Sequence, residues 1–229
     1  MKRLCLLLLA ALVLSACERV NVESVPTGTV IDCDPALTGW WQVTSEHPDA
    51  DSNEDESMHL FVSADCKRWV SVETDKKAST AKVDDIAGSM TFMIREVADA
   101  RYLAVSDKDK SPEGKHEIGE GFELIRYVAH HDRIDLFEAD PRREAHRVAD
   151  GLVAGRVESS AQSVGDKHSA SSVNTMLTGD GDAIADWLKR FDPIDVAFVE
   201  LRRVDEKTQK RLEQDLKPVP LAGKPKPHE

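Results

Sequence analysis

The sequence predicts a mainly β protein: an antiparallel meander curled into a barrel or half-barrel, with a short α/β insertion and a C-terminal amphipathic helix followed by a strand. Three observations point there. Apolar and polar residues alternate over short runs, as in Met90, Phe92 and Ile94 against Thr91, Met93 and Arg95, which is the period of a half-buried strand. Polar pieces rich in turn formers separate the runs. Only residues 182–191 carry a strong helical period. Seven strands in succession without an intervening helix favour an antiparallel sheet that curls on itself.

The strands fall at 39–44, 58–63, 67–74, 89–97, 101–106, 121–129 and 133–139. Loops fill 47–57, 75–88, 107–119 and 130–132. A faint echo runs through the meander. Ile94-Arg95-Glu96-Val97-Ala98 returns as Ile125-Arg126-Tyr127-Val128-Ala129, and partly as Leu201-Arg202-Arg203-Val204. Asp140-Pro141 breaks the strand pattern. Residues 142–150 then read as a short helix with Ala145, Val148 and Ala149 on one side. Short strands at 154–158 and 172–178 flank a Ser-rich loop. In 182–191, Ile184, Trp187, Leu188 and Phe191 form an i, i+3, i+4, i+7 stripe. Asp180 or Asp182 can cap its start, and Asp192-Pro193 ends it. Residues 196–204 return as a strand. Residues 205–216 are charged and weakly amphipathic. Beyond them Pro218, Pro220, Pro225 and Pro227 alternate with lysines, a composition that predicts disorder or polyproline geometry.

Charge narrows the function. The chain has 229 residues and a formal net charge of −12, more negative once Lys2 and Arg3 leave with the leader. A protein that tracks phosphates needs a basic surplus, so nucleic acid is not expected as a partner. After the leader, no apolar run approaches the roughly 20 residues of a membrane span.

The N-terminus is the most specific signal. Lys2 and Arg3 precede a continuous apolar run, 4–14, which is too short for a stop-transfer helix. Leu14-Ser15-Ala16-Cys17 follows. This tetrapeptide resembles the lipobox of bacterial lipoproteins, and the chain resembles the envelope lipoproteins of Gram-negative bacteria. The resemblance implies cleavage before Cys17, a diacylglycerol on its thiol and a third acyl chain on its amine. Two or more chains anchor a protein stably where one does not. Glu18, rather than Asp, after the Cys implies the outer membrane, at its periplasmic face. The expected organisation is a signal peptide at 1–16, an acylated tether at 17–36, a β-rich domain at 37–204, and a charged helix with a Pro/Lys-rich tail at 205–229.

Cys5 leaves with the leader and Cys17 is acylated, so Cys33 and Cys66 remain. In an oxidising envelope they are expected to pair. Closing a loop of about 33 residues stabilises by roughly 3–4 kcal/mol in the chain-entropy model. Gly39-Trp40-Trp41 opens the first meander strand, and this Gly-x-Trp resembles lipocalins. That resemblance implies a barrel able to carry a small apolar ligand.

Other motifs suggest chemistry less strongly. Asp49-x-Asp51-x-Asn53-x-Asp55 alternates oxygens as a Ca²⁺ loop does. However, Glu54 stands where a glycine is needed and Leu60 where a bidentate Glu is needed, so the segment reads as an acidic hairpin loop with a weak Ca²⁺ site as the alternative. His130-His131-Asp132, with His146 and Asp150 at helical spacing, offers metal-ligand types but no third ligand by spacing. Ser79-x-x-Lys82 matches a penicillin-binding motif but lies in a polar stretch without the later Lys-Thr-Gly. No catalytic residue, cofactor or strong metal site is expected. The sequence favours a lipid-anchored, non-catalytic binding or assembly protein with an envelope partner, and a small-ligand carrier is the alternative.

Overall fold

A computed structural model describes residues 18–45, 56–75, 82–107, 121–164 and 168–216. The strands are β1 (Arg19–Val22), β2 (Thr29–Ile31), β3 (Gly39–Ser45), β4 (Glu56–Val62), β5 (Trp69–Asp75), β6 (Lys82–Asp85) and β7 (Met90–Val97). They continue with β8 (Ala100–Asp107), β9 (Phe122–Ala129), β10 (Arg133–Ala139), β11 (Gly155–Val164), β12 (His168–Leu177) and β13 (Ile194–Arg203). The helices are α1 (Pro141–Ala149), α2 (Gly181–Phe191) and α3 (Glu206–Leu216). The mainly β, antiparallel class, the α/β insertion and the helix-then-strand end agree with the sequence prediction. Among the described residues, no helix is long and apolar enough to cross a membrane.

The chain divides into two compact units. The first holds the chain through Asp32, Ser89–Val128 and Asp135–Phe198. Here β7 and β8 form a hairpin closed by Ala98 and Asp99, both at positive φ (50° and 65°), as a tight two-residue turn requires. β8 pairs with β9, and β2 pairs with β7. β1 lies between β9, antiparallel, and β12, in the one parallel pairing described.

The N-terminal segment departs from expectation. Residues 17–36 read as a tether, yet β1 and β2 are strands within them. Between the two, the Glu23 carboxylate accepts the Gly179 N–H at 3.0 Å, the Ser24 hydroxyl donates to the Gly179 carbonyl at 2.8 Å, and the Thr27 N–H donates to the Gly181 carbonyl at 2.9 Å. A four-residue strand is too short to show a period. Its order comes from the slot between β9 and β12, where Val22 is buried. The insertion also differs. Its strands run ten residues each, from Gly155↔Leu177 to Val164↔His168, because backbone pairing continues through Ser and Ala that carry no apolar signal.

The core of this unit forms under α2. Ile184, Trp187 and Leu188 of the predicted stripe are buried, Ala185 joins them, and half-buried Phe191 packs alongside. They meet Val22, Phe122, Leu124, Tyr102 and Leu177. Asp180 caps the helix by accepting the Ala183 N–H at 3.0 Å. Asp192 ends it in the left-handed region at φ 39°, and its carboxylate lies 3.1 Å from Arg126. On α1 the predicted apolar side is corrected. Ala149 is exposed, Ala145 and Val148 are half-buried, and Glu144 is the residue fully buried.

The second unit holds Cys33–Gly88, Ala129–Ile134 and Val199–Glu229. β13 pairs with β3, and β3, β4, β5 and β6 follow in antiparallel order. β6 lies in the stretch expected to be loop; its four residues hold Val83 opposite Val72. Trp40, Val70 and Val72 pack against Leu212, which is fully buried. Among the side chains described on α3, Leu212 is the buried one, which fits its faint amphipathic signal.

Candidate binding surfaces

Described residues begin at Glu18, immediately after Cys17, which lies outside them. Arg142 at the start of α1 holds the Glu18 carboxylate with two nitrogens, the shorter contact being 2.7 Å. Charge-assisted bidentate pairs of this kind fix geometry, so Glu18 is held at the start of α1.

Cys33 and Cys66 form the expected disulfide, with Cα atoms 5.3 Å apart. It ties the segment entering β3 to the β4–β5 turn. Trp41 is fully buried beside that segment. Its indole N–H donates to the Leu37 carbonyl at 2.7 Å, and the Arg203 guanidinium stacks 3.7 Å from its ring centroid. Arg203 also donates to the Thr38 carbonyl. Gly39 stands at φ 105°, and a Cβ there would collide with that guanidinium. The Gly39-x-Trp41 pattern therefore marks a packed clasp between β3 and β13.

Three ionisable side chains, buried Glu144 and His59 and half-buried Glu123, were not legible in the sequence. The Glu144 carboxylate is 0% exposed, yet it accepts the Trp187 indole N–H at 2.9 Å and lies 2.6 Å from Arg147 and 3.4 Å from Arg143. Arg143 continues to Asp195 and the Pro193 carbonyl, and Arg147 stacks on Phe191. This box holds α1 to α2 and to the start of β13. A buried charge is tolerated when its lone pairs are satisfied in this way. Glu123 on β9 is the second. Burial pushes its carboxyl up to about 7, Glu138 adding to the shift and Arg19 opposing it. His59 on β4 is the third, 4% exposed with no hydrogen-bond partner for Nδ1 among the described residues. Burial lowers its pKa and Arg211 of α3 lowers it further, against a backbone hydrogen bond at Val72.

A cleft of about 210 Å³ lies beside α2, between that helix and the loop after α1. Leu152, Val153, Trp187 and Phe191 line it, with Asp186 and Arg190 among its polar residues. Leu152 is exposed there. The shape suits one apolar side chain or a small apolar group.

The remaining candidates do not come together. Asp49, Asp51, Asn53 and Asp55, the Ca²⁺ alternative, lie outside the described residues, as does Ser79. Lys82 begins β6 and pairs with Asp84 at 2.7 Å. His130, His131 and Asp132 are exposed at a turn. His146 is exposed on α1, and Asp150 serves as that helix's C-terminal cap. Among the described residues, no three His, Cys, Asp or Glu side chains converge as metal ligands would.

These features define a mainly antiparallel β protein with a disulfide, an ionic box and an apolar cleft. No protein-family model, curated protein or solved structure matches the chain.

Proposed function

We propose that this chain is an acylated envelope lipoprotein with a non-catalytic binding or assembly role at the periplasmic face of the outer membrane. The observation that carries the reading is the tetrapeptide Leu14-Ser15-Ala16-Cys17 behind a short apolar leader. Two features support it. The Cys33–Cys66 disulfide suits an oxidising compartment. Glu18 and β1 follow directly on the acylated cysteine and are packed into the body, so the body would sit close to the bilayer rather than on a long leash. Cys17→Ser should remove the protein from the outer-membrane fraction and abolish fatty-acid labelling, the leader staying uncleaved. A protein that still reaches the outer-membrane fraction after this change overturns the reading.

A carrier is the second reading, favoured by the buried Trp41 clasp at Gly39-x-Trp41. Small-ligand sites commonly measure roughly 300–1,000 Å³, and the α2 cleft is smaller. The cleft favours docking of a partner's side chain over enclosure of a ligand. Native mass spectrometry of protein extracted from cells separates the two: a bound small molecule supports the carrier.

A further inference from the structure

Among the described residues, β11 has one neighbouring strand, β12. Its other edge is a ten-residue row of backbone donors and acceptors. Natural proteins blunt such edges with prolines, lysines, bulges or short length. The segment GRVESSAQSV has no proline or lysine, and its register with β12 is unbroken.

The ladder fixes which residues serve the open edge. The Thr178 N–H donates to the Ala154 carbonyl at 3.0 Å. In an antiparallel pair, bonding residues alternate, so Ala154, Arg156 and Glu158 bond towards β12. Gly155, Val157 and Ser159 turn their N–H and C=O groups outward. An antiparallel newcomer must oppose these outward residues with outward residues of its own.

β11 meets that condition with itself. In the register centred on Val157, Val157 faces its counterpart and Gly155 faces Ser159, giving about six new backbone hydrogen bonds. Arg156 then lies opposite Glu158, twice by symmetry, at the non-hydrogen-bonded positions where side chains come closest. All three side chains are exposed, Val157 at 40%, so the pairing also covers an apolar residue. The neighbouring allowed registers, centred on Arg156 or on Glu158, set like charges directly opposite each other, and the one centred on Ser159 leaves both charges without an opposite partner.

We propose that β11 is a self-assembly edge, by which two copies of this chain join β11 to β11, antiparallel and centred on Val157. The proposal deepens the assembly role above and rests on it, because chains anchored in one bilayer meet at raised effective concentration. The test uses the full-length chain in intact cells. Val157→Cys introduces a thiol, and a short bismaleimide reports whether two copies place it face to face. Glu206→Cys, on the exposed start of α3, is the control.

A dimer product from position 157 and not from 206 is expected. Adding Arg156→Glu sets acid against acid and should lower the product about tenfold, since each cross-strand pair contributes up to about 1 kcal/mol. Adding Glu158→Arg as well should restore it. Protection of Cys33 and Cys66 from alkylation checks that each variant folds. A missing dimer, a product with another protein, or indifference to Arg156→Glu overturns the proposal. Palmitate labelling of the same cells keeps the readings apart: labelled protein without dimer refutes the edge alone, and unlabelled dimer refutes the anchor alone.

Discussion

The two units solve the same problem, covering a sheet, with different means. The first lays a strongly amphipathic helix on its sheet and fastens it with a buried ionic box. The second packs Leu212 of α3 on Trp40 and relies on Trp41 and on a disulfide. The difference shows where each is vulnerable. A satisfied buried charge fails badly when one partner is lost, whereas a covalent tie fails only by reduction. The units also carry opposite pH sensitivities. Glu123, in the first, resists ionisation; His59, in the second, resists protonation.

The largest expected effect is in the first unit. Glu144→Ala leaves Arg143, Arg147 and the Trp187 N–H facing an empty site and should cost about 3–5 kcal/mol. Thermal unfolding followed by Trp fluorescence reads the loss, and a cost under about 1 kcal/mol would mean that solvent reaches the box. Next comes the second unit. Replacing both Cys33 and Cys66 by Ser should cost about 2–5 kcal/mol by denaturant titration. Hydrogen exchange should show that loss concentrated in β3–β5 and α3, leaving α2 protected.

The pH effects are smaller and opposed. Glu123 keeps its proton in the fold up to about 7, while in the unfolded chain it ionises near the ordinary value of 4.5. Its contribution to stability therefore falls as pH rises through that window, and the loss is complete above it. Glu123→Gln should raise stability at pH 8 by about 1–3 kcal/mol relative to the parent and by little at pH 4. His59 has a lowered pKa, so the unfolded chain takes up its proton first. Stability falls as pH drops below 6.5, down to the folded value. His59→Phe should flatten this acid limb, and an unchanged limb in a pH series of melting curves would acquit the histidine.

The legible parts of the fold were those with a local period. The α2 stripe, the alternation in β7 and the Asp140-Pro141 boundary each state their structure within a few residues. β1 and β6 are only four residues long, and both acquire order from the neighbours they pair with. Nothing in the sequence around Glu144, on a short polar helix, marks it as buried. Its burial depends on Trp187, 43 positions away, and no local pattern carries that. The disulfide was legible because elimination left one pair. The β11 edge was not, since serine-rich alternation looks like loop until the partner strand is known.

Acylation at Cys17 can be read directly. Trypsin should release the mature N-terminus as Cys17-Glu18-Arg19, and mass spectrometry of protein extracted from membranes gives its composition. A peptide that starts at Cys17 and carries three acyl chains is the expected result. A peptide with an unmodified cysteine, or a mature chain that begins elsewhere, would contradict the account.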